Sequence, residues 1–253
     1  MQLSRSQLIC QVVLLVAAIC FTMGVRAHGE QHVEDAEAQI LAPGYAALSF
    51  VAPSAGTYDL PVLGTAGSGQ VLTSAGEPLE LATLLGEKPT LLSFVYTTCD
   101  DINGCPLATY VLSQVARRIA ADPGLAGNVR LISLSFDPGN DTPEIMRNYG
   151  RSFRADGMDW RFLTCENEQN LQPILERYNQ TVAKEVDKNG NVTSSYSHIL
   201  RVYLIDKQRQ IRNIYSVSFL HADTIINDIK TLVDNQPESP IVKVASTTSS
   251  LHG

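Results

Sequence analysis

The feature that most constrains the fold is an alternation of short apolar runs with segments whose apolar residues follow helical spacing. Leu91–Tyr96 (LLSFVY) is a continuous apolar run, which is typical of a buried strand. After Pro106, apolar residues recur at the spacing of one helix face until the turn sequence Asp122–Gly124. Val129–Phe136 (VRLISLSF) then predicts a second strand. This alternation favours an α/β fold.

The second half of the chain continues the pattern. Its predicted elements are a helix capped by Thr142, a strand at Trp160–Leu163, a helix at Leu171–Tyr178, a hairpin at Ile199–Tyr215 and a last helix from Ile225. Strand and helix in alternation, followed by an antiparallel hairpin and a helix, imply a mixed sheet with helices on both faces in a single domain. This is also the order of elements in thioredoxin-like proteins.

The two ends of the chain differ from this central part. A basic start, an uncharged apolar stretch and small residues around Arg26 predict a signal peptide in residues 1–27, with an N-terminal membrane anchor as the alternative. Residues 28–57 lack a clear period and predict a linker or extended arm, and residues 235–253 predict a flexible tail. The folded domain is therefore expected at residues 58–234. We expect it to be exported, to the periplasm or the outer face of the membrane.

Charge and composition limit the classes of partner. The chain carries 19 Lys and Arg against 26 Asp and Glu, a formal net charge of −7 at pH 7. Such a chain lacks the positive field that a phosphate backbone requires, so nucleic acid is not an expected partner. Hydrophobic residue types make up 44% of the sequence, enough for a buried core, which excludes a disordered chain. We expect a folded monomer.

Two cysteines bracket the segment between the first predicted strand and its helix. Cys99 and Cys105 lie in YTTCDDINGCP, and residues 97–104 form what we call the cysteine loop. In α/β proteins reactive groups lie beyond this edge of the sheet. The N–H groups of a helix start favour a thiolate, whereas Asp100 and Asp101 act in the opposite sense. Two thiolates on one loop can close as a disulfide or hold a soft metal ion.

A soft metal ion would need a third donor besides the two thiolates, and His198 is the best candidate. It precedes an apolar strand in SSYSHILRVYLID, where the predicted hairpin can bring it beside the cysteine loop. Cys99, Cys105 and His198 would then form a compact sulfur and nitrogen set that suits copper. A plain structural disulfide, and an ordinary partly buried histidine, remain the alternatives.

Other chemistry-bearing residues are assigned mainly structural roles. Asp137 and Asp141 lie in DPGNDTPE and are interpreted first as turn and helix-cap residues. Cys165 is expected to be a buried or idle thiol, and His221 a surface residue. Cleavage after residue 27 would leave His28 at the new terminus, where an amine and an imidazole can chelate copper, but we do not expect this site to be used.

The sequence blocks resemble the Sco/SenC family. YTTCDDINGCP, SFDPGNDTPE, WRFLT, SHILRVYLID and IRNIYS follow in that family's order over residues 58 to 234. The resemblance implies a thioredoxin-like fold, an exported or membrane-anchored domain, and copper bound by two Cys and one His. At the matching positions these ligands are Cys99, Cys105 and His198, with Asp137 as an acidic residue near the site. It also implies a partner, the copper-site subunit of cytochrome c oxidase or another cuproprotein.

The chain departs from the family pattern in its cysteine spacing. The five residues Asp100–Gly104 separate the two cysteines, where the family usually has three. The longer loop can weaken copper binding or favour a redox function. Its Asn-Gly pair favours a turn, which can accommodate the two extra residues and still bring the sulfurs together. Two functions stay open: a copper chaperone, and a thiol–disulfide oxidoreductase in which Cys99 attacks and Cys105 resolves, keeping a partner's copper-site cysteines reduced. A third is a binding module with an inert disulfide.

Overall fold

A computed structural model of the chain describes residues 40–153 and 157–234. The predicted signal peptide or anchor, residues 28–39 of the predicted linker (with His28) and the predicted tail lie outside these residues. No helix in the described part is long and apolar enough to cross a membrane.

Ten strands and four helices make up the described fold. In chain order they are β1 (Gly64–Thr65), β2 (Gln70–Thr73), β3 (Pro78–Glu80), β4 (Thr90–Val95), α1 (Cys105–Ala121), β5 (Arg130–Ser135), α2 (Pro143–Arg151), β6 (Asp159–Thr164), α3 (Glu168–Arg177), β7 (Val182–Val186), β8 (Val192–His198), β9 (Arg201–Ile205), β10 (Gln210–Ser216) and α4 (Ala222–Asp234). Short 3₁₀ turns lie at Pro43–Tyr45 and Leu81–Thr83.

Eight strands form one mixed sheet in the order β1-β10-β9-β4-β5-β6-β2-β3. The β4–β5 and β5–β6 pairs are parallel, and the other pairs are antiparallel. All six residues of β4 and all six of β5 are buried, as their continuous apolar runs predict for strands covered on both faces. The carboxyl end of β4 therefore lies at the middle of the sheet edge, where the cysteine loop begins.

Helices cover both faces of this sheet. Phe94 and Ser93 are neighbours in β4 and so point to opposite faces. Phe94 packs edge-on against Tyr178, the residue after α3. On the other face, the hydroxyl oxygen of Ser93 is 3.1 Å from that of Ser133 in β5. Ser133 is paired with Phe162 in β6, and the ring of Phe162 contacts Tyr149 of α2. The prediction of a mixed sheet with helices on both faces is confirmed.

Residues 41–57, which the sequence favours as an arm ahead of the domain, lie against the domain. The compact unit begins at Leu41. The prediction that His221 is a surface residue is wrong, because only 6% of it is exposed. Its Nε2 donates to the carbonyl of Ala46, and its Nδ1 accepts from the N–H of Asp223. His221 is therefore buried where residues 41–57 meet α4.

The β7–β8 hairpin is a separate two-stranded sheet that the sequence analysis did not predict. Its residues are mostly exposed, so they lack the apolar alternation by which a half-buried strand is recognised. His198 is the last residue of β8, so this hairpin, rather than the predicted one at 199–215, carries it.

Candidate metal and thiol site

The cysteine loop leaves the sheet at the carboxyl end of β4 and enters α1 at Cys105. Pro106 occupies the first turn of the helix, where its missing N–H would have no partner in any case. Cys105 is only 1% exposed, whereas Cys99 is half-buried, and neither is in a disulfide. A Cβ added to Gly104 would lie 3.2 Å from the sulfur of Cys99, so the loop backbone packs closely against that thiol.

A fully buried carboxylate fixes the start of this loop. Asp141 accepts hydrogen bonds from the N–H of Thr97 (3.0 Å) and from its hydroxyl (2.5 Å). It also accepts from the hydroxyl of Ser135 (2.6 Å) and the amide of Asn140 (2.9 Å). Sequence reasoning assigned Asp141 to the turn before α2 and missed this role, because contacts across 44 positions leave no local pattern.

His198 reaches the cysteine site from the β7–β8 hairpin. Its Nε2 is 4.0 Å from the sulfur of Cys105. The ring is held between aromatic side chains, with centroids 4.9 Å from Phe136 and 6.0 Å from Tyr96. The structure thus brings His198 to the cysteine pair, although it lies 93 positions after Cys105 in the sequence.

Asp137 acts on the hairpin rather than on the thiols. Its Oδ1 accepts a hydrogen bond of 2.9 Å from the hydroxyl of Tyr196, two residues before His198. The Tyr196 ring packs edge-on against Tyr96 and Phe136, the same two rings that contact His198. Asp137 therefore helps to orient the strand that presents the imidazole.

The two thiols differ strongly in acidity. A hydrogen bond from the Cys105 thiol, helped by the Cys105 N–H and the Tyr96 hydroxyl, lowers the pKa of Cys99 to about 6. The pKa of Cys105 is raised, because the thiol donates to Cys99 and is buried. Burial lowers the pKa of His198, which keeps the imidazole neutral and able to act as a ligand. Near neutral pH the site therefore holds one thiolate, one thiol and one neutral imidazole.

This difference predicts a pH profile for the metal-free, reduced chain. The rate at which iodoacetamide alkylates Cys99 is expected to rise with pH through about 6 and to level off above it, because only the thiolate reacts. Mass spectrometry of the peptide that contains Cys99 measures the rate. In a Cys105→Ala variant the midpoint should move upward, toward the ordinary thiol range, because the main stabilising hydrogen bond is lost. An identical midpoint in both proteins would contradict the assignment.

The separation between Cys105 and His198 can be compared with the distance between two ligands of one soft metal ion. Thiolate and imidazole bonds to one metal ion are about 2.3 and 2.0 Å, which places the two donor atoms roughly 3.5 Å apart. The separation between Cys105 and His198 is near this value. Within residues 40–153 and 157–234, no three His, Cys, Asp or Glu side chains already form a metal-holding group. The Cys105 sulfur nevertheless lies beside both other donors, the His198 imidazole and the Cys99 thiol.

The site opens into a cavity of about 390 Å³. Its lining includes Cys99, His198 and the β8 residues before it, together with the acidic residues Asp100, Asp101 and Glu185. Both aspartates are exposed. Carboxylates among the lining residues favour cations over anions in this cavity.

Cys165 is not among the residues that line this cavity. Only 2% of it is exposed, and burial raises its pKa to about 12. Its thiol is thus protonated near neutral pH, in keeping with the expectation of a buried thiol.

Comparison with known proteins gives a consistent picture. A family model described as SCO1/SenC matches residues 65–234. A SCO1 protein homolog of Bacillus subtilis is 26% identical over 157 residues, which is 62% of this chain and 76% of that protein.

Two solved structures share the fold. The structure of Bradyrhizobium japonicum ScoI with copper bound is 27% identical, with a TM-score of 0.50, over 64% of this chain and 99% of that one. BsSco, described as a member of the Sco family of cytochrome c oxidase assembly proteins, aligns with a TM-score of 0.56 at 21% identity. That alignment covers 71% of this chain and 100% of BsSco, and at this identity it shows the fold alone.

Fold and site together define a thioredoxin-like domain in which the Cys99 thiol and the His198 imidazole line one cavity and both contact the buried Cys105 thiol. The family model covers most of this domain, including Cys99, Cys105 and His198. The chain belongs to the SCO1/SenC family.

Proposed function

We propose that this chain is an exported copper chaperone. It binds copper(I) through Cys99, Cys105 and His198 and delivers it to the copper-site subunit of cytochrome c oxidase or to another cuproprotein. The observation that carries the proposal is the 4.0 Å approach of His198 Nε2 to the Cys105 sulfur, at a loop that also bears the Cys99 thiolate. Two sulfurs and one imidazole are a donor set that copper(I) prefers.

Delivery requires a site that can open, and several features support this. Cys99 is partly exposed, has exposed neighbours on both sides and lines the cavity, so a partner's thiolates can approach the ion from solvent. The copper-bound Bradyrhizobium japonicum relative supports copper as cargo. Export follows from the predicted signal peptide or anchor in residues 1–27.

A second candidate function is thiol–disulfide exchange, and the acidity of the two thiols favours it. The Cys99 thiolate would attack a partner disulfide, forming a mixed disulfide and releasing one partner thiolate. The Cys105 thiol would then attack the Cys99 sulfur, and its proton would pass to the second partner thiolate as that leaves. The partner gains two electrons, and Cys99 and Cys105 end as a disulfide. This reaction would keep a partner's copper-site cysteines reduced.

A copper titration with thiol counting tests the chaperone proposal. The reduced full chain, titrated with copper(I) against a competing chelator without oxygen, is expected to bind one ion per chain. The same protein with Cys99 and Cys105 oxidised to a disulfide is the matched control. It should have lost two titratable thiols and bind no copper(I), because two of the three ligands are used up. Equal copper binding by both forms would overturn the proposal.

A further inference from the structure

A segment ahead of the sheet is bonded to the folded domain near its beginning and, in its second half, to α4. We call residues 41–58 the N-terminal arm. At its far end the hydroxyl of Tyr58 donates to Asp228 (2.5 Å), and in its first third the carbonyl of Ala46 accepts from buried His221 (3.0 Å). The N–H of Gly56 and the carbonyl of Pro53 make further bonds to α4. The arm is thus part of the folded domain.

Close packing fixes the path of the arm near its beginning. A Cβ on Gly44 would lie 2.4 Å from the carbonyl oxygen of Leu220 and 2.9 Å from a methyl carbon of Val111 in α1, so only glycine fits there. Ala42 is 6% exposed and belongs to the core. The backbone at Gly44 therefore packs directly against Leu220 and α1.

From this position the arm bonds the cysteine loop directly. The N–H of Ala42 donates to Oδ1 of Asn103 at 2.8 Å. The hydroxyl of Tyr45 donates to the carbonyl of Ile102 at 2.5 Å, while its ring packs on Tyr110 of α1 with centroids 5.1 Å apart. Both acceptors lie between Cys99 and Cys105. The loop is thus held from outside, by residues about sixty positions earlier in the chain.

We propose that the N-terminal arm positions the cysteine loop through Tyr45 and Ala42, and so sets the copper(I) affinity and the reduction potential of the Cys99–Cys105 pair. This inference rests on the function proposed above for the same site. A loop of five residues between two ligands has more freedom than a shorter one, and ordering it on metal binding costs conformational entropy. Two bonds from a fixed arm order Ile102 and Asn103 before the ion arrives, which lowers that cost.

A Tyr45→Phe variant of the full chain tests this positioning role. Phenylalanine keeps the ring contact with Tyr110 and removes only the hydroxyl that bonds Ile102. Losing one hydrogen bond that preorganises the loop is expected to weaken copper(I) binding about five-fold. The bond is made in the form with two free thiols, so its loss should also shift the reduction potential of the metal-free pair by about 20 mV to more negative values.

Tyr58→Phe is the matched control, because it removes a tyrosine hydroxyl bond of the same arm far from the loop. It should leave both copper(I) affinity and potential unchanged. Unchanged values in Tyr45→Phe as well, or equal shifts in both variants, would overturn the inference. If the natural chain binds no copper(I), the proposed function fails, but the potential measured without metal still decides whether the arm positions the loop.

Discussion

A His198→Ala variant is expected to bind copper(I) at least about 100-fold more weakly than the natural chain, since residues that merely orient metal ligands already contribute 10- to 100-fold. The same variant should keep its rate of thiol–disulfide exchange nearly unchanged. The physical reason is that the imidazole and the attacking thiolate have different partners in the site. The imidazole is near the buried Cys105 sulfur, whereas the attacking Cys99 thiolate is stabilised by Cys105 and Tyr96.

Two measurements on the same preparation separate the proposed functions. Chelator competition gives the copper(I) affinity, and reduction of a model disulfide peptide gives the exchange rate. A Cys99→Ser/Cys105→Ser variant should lose both properties. Cys165→Ala serves as the control, because Cys165 is a buried thiol outside the cavity lining. It should change neither property, provided that the variant is measured while folded.

Each contrary outcome has a definite meaning. Full copper(I) affinity in His198→Ala would remove the histidine from the ligand set and leave a dithiol site. Loss of exchange with intact copper binding would mean that His198 acts on the acidity of the thiols. Either result contradicts the role assigned here to the imidazole.

The central fold could be predicted from the sequence because its signals are local and apolar. The apolar runs at β4 and β5 are buried on both faces. Each run therefore predicts its strand without knowledge of the segments that pack on it. The Thr142 cap was also predicted, and its hydroxyl does accept from the N–H of Ile145. Where burial alone decides, the sequence is a sufficient guide.

The parts that build the site are less visible in the sequence. The β7–β8 hairpin buries little apolar surface and is held by strand pairing and by Tyr196, whose partners are distant. The N-terminal arm shows no periodic pattern of apolar residues, because it is held by single hydrogen bonds to several different elements. Sequence reasoning could nominate Cys99, Cys105 and His198 by chemistry and resemblance, but the elements that bring them together depend on long-range contacts.

Asp141 is a buried residue that holds the start of the cysteine loop, and an Asp141→Ala variant should show this role. The carboxylate accepts four hydrogen bonds, two of them from Thr97 at the start of the loop. Alanine would leave the buried hydroxyl of Ser135 and the Thr97 N–H without their acceptor. The free energy of unfolding is therefore expected to fall by about 3 kcal/mol, measured by urea denaturation.

The same substitution is expected to lower copper(I) affinity at least about ten-fold, because the loop that carries Cys99 loses its fixed starting point. Thr142→Ala is the control next along the chain: it removes a helix cap, should cost about 1 kcal/mol, and should leave copper(I) affinity unchanged. Asp141→Asn, which keeps one carbonyl acceptor, should fall between Asp141→Ala and the natural chain in both measurements. If Asp141→Ala loses stability yet binds copper(I) as tightly as Thr142→Ala, the carboxylate supports the fold alone, and the loop must be positioned by α1 and the N-terminal arm.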